Sequence, residues 1–451
     1  MKSTQIAKKF LKFVLAAVAT AAAGLAQQPS QPELTLDQAI QQALANNSAL
    51  KTAGLETERT ADDLAANKTK RFASTQITTL AGQLLTKPSV TFQQGSLGTY
   101  AATGPIPATN QKIEIPRKPA AAVFASISQP LSTLYRIHLH LTALSFGLQA
   151  TRQEQEKTRL EVIDQVRRAY YTVVQAQSTL DSLEASLPFY KESKRLAGEN
   201  LKRETVLESD LLGADAQLLK TQNAVSDALD QVATASEKLN DLMGRDIHTQ
   251  FRVVGVTTAD TVLETTEPLE ATALQNRPEL KKAKLEVQQA DYEARAKKAE
   301  YIPDVNAGLF YYTTANFQNA LPKNIAVAGF ELTWEPWDWG RRKQEIAERR
   351  VKEEQAKVAV NSTQRAVLLE VRNAWRQLEN TRRQLQLAEA TEREDRQRLK
   401  ETQEQVKREA VLTKVLFRAQ SDLASADDRQ QQALAAFWQA RADLKKAIGE
   451  Q

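Results

Sequence analysis

Leu201-Lys202-Arg203-Glu204-Thr205-Val206-Leu207 recurs 205 positions later as Val406-Lys407-Arg408-Glu409-Ala410-Val411-Leu412. At the same offset, Val166-Arg167-Arg168-Ala169-Tyr170 answers Val371-Arg372-Asn373-Ala374-Trp375. Further upstream the offset widens to 230: Asn46, Leu50, Lys51, Ala53 and Leu55 return as Asn276, Leu280, Lys281, Ala283 and Leu285, and Phe72 falls on Ile302. The two offsets differ by 25, so one copy carries an insertion of about that size between residues 72 and 166. A period above 200 residues means a duplicated architecture, since solenoid repeats run only about 20 to 50 residues.

Each copy is dominated by helix. Positions Val166, Val173, Leu180, Leu187, Lys194 and Leu201 are spaced by seven, as are Val371, Leu378, Leu385, Glu392, Leu399 and Val406. A strict seven-residue apolar period specifies a left-handed coiled-coil seam. The first copy is expected to hold a short helix over 33–70, a long one over 131–201 and a short one over 206–243. Expected in the second are helices near 270–300, 337–407 and 411–448. At about 1.5 Å per residue the long helices extend roughly 105 Å and the short ones about 57 Å, so two short helices end to end match one long one. Such stacking predicts a wall of helices roughly 100 Å tall. Pro188, where the second copy has Arg393, predicts a kink or break in the first copy alone.

Between the first short helix and the long helix, each copy carries two segments of period-two character. They lie near 72–85 and 121–128, then at Val305–Tyr311 and Ala326–Trp334. Pro130, Pro303 and Pro336 mark their junctions with helix, where a fixed φ and a missing donor suit a change of element. Trp334, Trp337 and Trp339 gather at one junction, either as an interfacial girdle or as an apolar plug at the strand end. Four strands cannot close a membrane barrel, whose smallest known form has about eight, and an open edge in lipid leaves backbone groups unsatisfied. A barrel here must be shared, with 8, 12 or 16 strands from two, three or four chains.

Composition narrows the class. The 451 residues are 42% apolar, 6% aromatic and 25% charged, typical of a hydrated, helix-rich chain. Lys2, Lys8, Lys9 and Lys12 precede the apolar run Phe13–Ala23 and the small residues Gly24-Leu25-Ala26, the pattern of a secretory signal ending at residue 26. Removing those four lysines lowers the formal charge from +5 to +1, because residues 1–26 contain no acid. The basic balance then gives no support to nucleic-acid binding. Beyond residue 26 no run approaches the roughly 20 apolar residues of a spanning helix, so membrane insertion must use strands. Cysteine is absent, excluding disulfides, thiolate metal sites and a lipid-modified cysteine at the mature N-terminus.

The motifs carry a family resemblance. Asn276-Arg277-Pro278-Glu279-Leu280, Tyr301-Ile302-Pro303 and Trp337-Asp338-Trp339-Gly340-Arg341-Arg342 resemble the signatures of the TolC-type outer-membrane efflux proteins. The resemblance implies a mainly α fold with a small transmembrane β part: duplicated coiled-coil helices form a periplasmic α-barrel, and four strands per chain join a shared 12-stranded β-barrel. It also implies a homotrimer in the outer membrane that passively conducts substrates delivered by an inner-membrane transporter and a periplasmic adaptor protein. The domains expected are a signal peptide (1–26), repeat 1 (27–244), a linker (245–268) with one extended piece, Phe251-Arg252-Val253-Val254, and repeat 2 (269–451).

In the family the turns after each long helix form the periplasmic entrance and adaptor-docking surface. By register these are Lys202, Arg203, Glu204, Val206 and Leu207, and Lys407, Arg408, Glu409, Val411 and Leu412. The family usually has glycine where Glu204 and Glu409 stand, so this chain implies a more charged entrance. Of the family's acidic entrance ring, Asp210 matches one member. The second-copy positions fall on Val415 and Arg418, with Asp422 one turn beyond, so Asp210, Arg418 and Asp422 are candidate lumen or gate charges or else solvated helix faces.

Enzymatic chemistry needs converging acids, bases or nucleophiles, and the sequence offers none. Its three histidines include His138 and His140, which diverge by about 200° on a helix and form no metal pair. No cofactor or metal is expected. Gly95–Pro119 is read as the inserted surface loop. A periplasmic coiled-coil scaffold or adaptor without a pore would explain the heptads and leader, but not the paired alternating segments.

Overall fold

The computed structural model describes residues 32–255, 265–316, 324–408 and 413–450. The expected leader, part of the expected linker and residues 409–412 of the second candidate entrance turn lie outside the described residues. The chain divides into two compact units: residues 1–48, 161–263 and 374–444 form one, and residues 49–160, 264–373 and 445–451 the other.

The first repeat opens with β1 (Glu33–Leu34), α1 (Leu36–Asn46) and α2 (Ser48–Thr69). Thr35 caps α1 reciprocally: its Oγ1 accepts from Gln38 N at 3.3 Å, and Gln38 Oε1 accepts from Thr35 N at 3.0 Å. Strand β2 (Ser74–Gln83), the short strands β3 (Ser89–Phe92), β4 (Thr99–Tyr100), β5 (Gly104–Pro105) and β6 (Gln111–Glu114), and β7 (Pro119–Pro130) follow. The long α3 (Thr133–Lys202) and α4 (Glu208–Leu242) complete this copy. Strand β8 (Arg252–Val253) leads to α5 (Thr266–Asn276), α6 (Pro278–Lys298), β9 (Asp304–Ala315), β10 (Ile325–Thr333), α7 (Arg341–Lys407) and α8 (Thr413–Ile448). No described helix is long and apolar enough to cross a membrane.

Two expectations need correction. The first short helix of each copy is two helices, separated by one extended residue, Asn47 (ψ 131) and Arg277 (ψ 121). The break allowed at Pro188 does not occur, since α3 runs through it. The carbonyl that proline leaves without a donor, on Glu184, belongs to an exposed residue within reach of water. The inserted loop Gly95–Pro119 holds the pair β4–β5, and its β6 pairs with β3 just before it.

The first unit's core gathers Leu34, Val166, Tyr170, Val173, Leu239, Met243, Phe251 and Val253. Of the heptad seams, Val166, Val173, Val371, Leu378 and Leu385 are buried, whereas the later positions are only half-buried. Strands β1 and β8 form a parallel bridge that ties the linker to the start of the described chain. Tyr170 secures that bridge, its hydroxyl lying 3.0 Å from Leu34 O and 2.8 Å from Val254 O. Burial pushes its phenol up to about 12.

The duplication recurs at the helix ends. Gly244 and Gly449, 205 residues apart, adopt φ +66 and +76 after α4 and α8. Both close six-residue caps, through Gly244 N to Asp241 O with Arg245 N to Asn240 O, and Gly449 N to Lys446 O with Glu450 N to Lys445 O. A Cβ on Gly244 would stand 2.8 Å from Asn46 O, and one on Gly449 3.1 Å from Asn276 Cβ. In both copies the last helix therefore ends against the break between the first two. The side chain at that break satisfies the helix end: Asn47 donates to Leu242 O at 3.0 Å, and Arg277 donates to Lys446 O at 3.1 Å.

Candidate functional site: an open-edged sheet and a charged turn

The sheet has strand order β10-β9-β7-β2, antiparallel throughout. Both edge strands are exposed along their whole length. Register fixes which residues share a face. Ala328, Leu309, Ile127 and Thr75 form one cross-strand row, and Ala326, Tyr311, Ala125 and Ile77 the next, so this face is nearly all apolar. The opposite face carries rows Gly329, Gly308, Ser128, Ser74 and Val327, Phe310, Ser126, Gln76, with Glu331 opposite Asn306. Phe330 (77% exposed) and Leu332 (65%) lie on the apolar face.

Where the strands meet the helices, exposed aromatics collect. Trp334, Trp337 and Trp339 are 60%, 70% and 89% exposed, which excludes the plug reading within this chain. Asp338 builds the turn that presents them. Its carboxylate accepts from Gly340 N at 3.0 Å and from Arg342 N at 3.2 Å, capping α7, while Trp339 takes φ +55. Desolvation pushes the Asp338 carboxyl up, but the two backbone donors and Arg342 and Arg341 outweigh it and hold the group below the usual carboxylate range.

The first candidate entrance turn links α3 to α4. Lys202 ends α3, Arg203, Glu204 and Leu207 are exposed, and Val206 is half-buried. The turn closes with the same cap as the glycine ends: Glu204 N donates to Leu201 O at 2.9 Å and Thr205 N to Asn200 O at 3.0 Å. Here the left-handed residue is Glu204, at φ +57. Asp210 accepts from Leu207 N at 3.2 Å and so starts α4. Its position is explained by capping, a role sequence reasoning missed although an acid at the third helical position signals it.

In the second copy Lys407 ends α7 and Arg408 is exposed, while Glu409, Val411 and Leu412 lie outside the described residues. Arg418 is exposed and Asp422 half-buried, and they form no ion pair with each other among the described residues. The sequence also gave no role to Arg277, whose side chain is 7% exposed and grips Glu370 at 2.6 and 3.1 Å and Glu279 at 3.1 Å.

An antiparallel sheet with two open edges, one apolar face and an aromatic rim, fed by paired long helices, has the fold of an outer-membrane channel protomer. Residues 254–450 match the family model described as outer membrane efflux protein. The fold is similar to that of the Campylobacter jejuni CmeC outer membrane channel (TM-score 0.74, 17% identity, 92% of this chain and 85% of that one). It is also similar to the open state of the Neisseria gonorrhoeae MtrE outer membrane channel (TM-score 0.70, 17% identity, 93% and 90%). An uncharacterised protein of Haemophilus influenzae is 22% identical over 209 residues, an alignment spanning 45% of each chain and thus under half of that relative. Residues 254–450 thus match the outer membrane efflux protein family, and the fold over most of the chain is that of the solved outer-membrane channels.

Proposed function

We propose that the chain is the outer-membrane channel of a tripartite efflux or secretion system, a passive conduit for substrates handed on by a periplasmic adaptor and an inner-membrane transporter. The observation that carries this reading is the sheet. Edge strands β2 and β10 run in opposite directions, as the ends of a four-stranded antiparallel ladder must. Placing β10 of one copy beside β2 of the next continues that ladder, satisfies both edges and closes a barrel. Three copies give twelve strands, enough for a water-filled lumen lined by the Glu331 face, while the Phe330 face meets lipid. The turns at Lys202–Leu207 and Lys407–Leu412 then ring the periplasmic entrance, where the adaptor docks.

Purified full-length protein added to planar bilayers tests this directly. A heat-modifiable trimer that conducts ions is expected. A water-soluble, non-conducting monomer would refute the channel and favour a scaffold.

A further inference from the structure

Accepting the membrane placement just proposed, we infer that the far rim of the sheet is a docking surface for an anionic phosphorylated glycolipid. The first connection at that rim, residues 84–118, contains four Lys or Arg and one acid, Glu114. The chain after residue 26 has a net charge of only +1, so this excess of three is a local concentration.

Three of the cations sit where the sheet ends. Gln83 is paired with Pro119, and beyond that pair Leu84 N donates to Lys118 O at 3.2 Å and Ile115 N to Pro88 O at 2.8 Å. The chain thus continues as a paired ribbon past the last ladder rung, with Lys87 on one strand and Arg117 and Lys118 on the other. All three are exposed, and none forms an ion pair among the described residues. The one acid is already engaged, because Lys112 lies 2.7 Å from Glu114. That pairing first, then the Lys112 and Lys87 charges, keep the Glu114 carboxyl low.

At the near rim Arg136 pairs with Asp304 at 3.2 Å, Arg341 with Glu335 at 2.7 Å, and Arg342 with Glu335 at 2.8 Å and Asp338 at 3.4 Å, while Lys70 and Arg71 are exposed there, Arg71 lying over the Phe72 ring. Leu85, two residues from Lys87, is 81% exposed, so an apolar side chain and a cation emerge together, as suits the boundary between acyl chains and charged headgroups. Clustered phosphates fixed at that boundary match three unpaired cations, whereas a free anion would gain nothing from the adjacent apolar side chain.

The test uses the full chain in zwitterionic detergent with lipid A, a bisphosphorylated glycolipid, as probe. Each cation near an anionic surface contributes on the order of fivefold in affinity, so replacing all three with glutamine should weaken binding about a hundredfold. An equal charge change at exposed Lys191, Lys220 and Lys343 should leave it unaltered, and added salt should weaken the wild type far more than the rim variant. Lipid A stripped of phosphate should bind the wild type no better than intact lipid A binds the rim variant. Equal binding of intact lipid A by wild type and rim variant would overturn the inference. So would displacement of the lipid by equimolar inorganic phosphate, which would mark a small-anion site. Bilayer conductance separates the two readings: a non-conducting protein that still discriminates lipid A sinks the channel alone, and a conducting one that does not sinks this inference alone.

Discussion

Replacing Glu204 with glycine should tighten the first entrance turn. Three helix ends close with the same pair of hydrogen bonds, and two of them place glycine at the left-handed position, at φ +66 and +76. The third places Glu204 there, at φ +57. For a residue with a Cβ the left-handed region costs about 1–2 kcal/mol. Glycine removes that penalty but returns about 0.5–1 kcal/mol through the freedom it gains in the opened state. The net gain is about 0.5–1 kcal/mol, or roughly a two- to fivefold smaller open population. Amide hydrogen exchange at residues 204 and 205, corrected for intrinsic rates, reads that population. Glu204→Ala separates strain from charge, since it keeps the Cβ and removes the carboxylate. Slowed exchange in the glycine variant alone is expected. Equal slowing in the alanine variant, or faster exchange in the glycine variant, would refute the strain argument.

Phe330→Arg should destabilise vesicle-inserted protein by about 2–4 kcal/mol if the residue lies near the bilayer midplane, and Gly329→Arg far less, since register puts them on opposite faces; chemical unfolding from vesicles measures both. Arg277→Ala should destabilise by about 3 kcal/mol in thermal or denaturant melts, because it strips the partner from Glu370 and Glu279 and removes the second donor of Lys446 O. Asn47→Ala, which loses a neutral bond to Leu242 O, should cost only about 1–2 kcal/mol. Asp427 is held above the usual carboxylate range by desolvation and then by the neighbouring Glu392 charge. Between its unfolded and folded pKa it binds more proton in the folded state, so stability falls as pH rises through that window. Asp427→Asn should therefore raise the melting temperature above the window and leave it unchanged below it.

Much of the architecture was legible in the chain itself. A seven-residue apolar period is local information, so Val166, Val173, Val371, Leu378 and Leu385 could be placed on a buried seam without coordinates. Duplication supplied two readings of each element, and prolines at strand ends marked the junctions. Alternation also limited each strand to two choices of face.

Tertiary structure decided what depends on partners distant in sequence. Only cross-strand register joins Ala328, Leu309, Ile127 and Thr75 into one apolar row, because alternation in one strand says nothing of its phase against the next. Asn47 and Arg277 look like residues inside a continuous helix until the carbonyls of Leu242 and Lys446 arrive beside them from some 170 to 195 residues away. Pro188 does not break α3, and Glu184, whose carbonyl loses its helical donor there, is an exposed residue. Sequence determined which segments are helix or strand, since periodicity acts within a few turns. Caps, faces and unpaired charges were left to the fold, because a backbone group or a cation is satisfied or open only relative to what the chain brings against it.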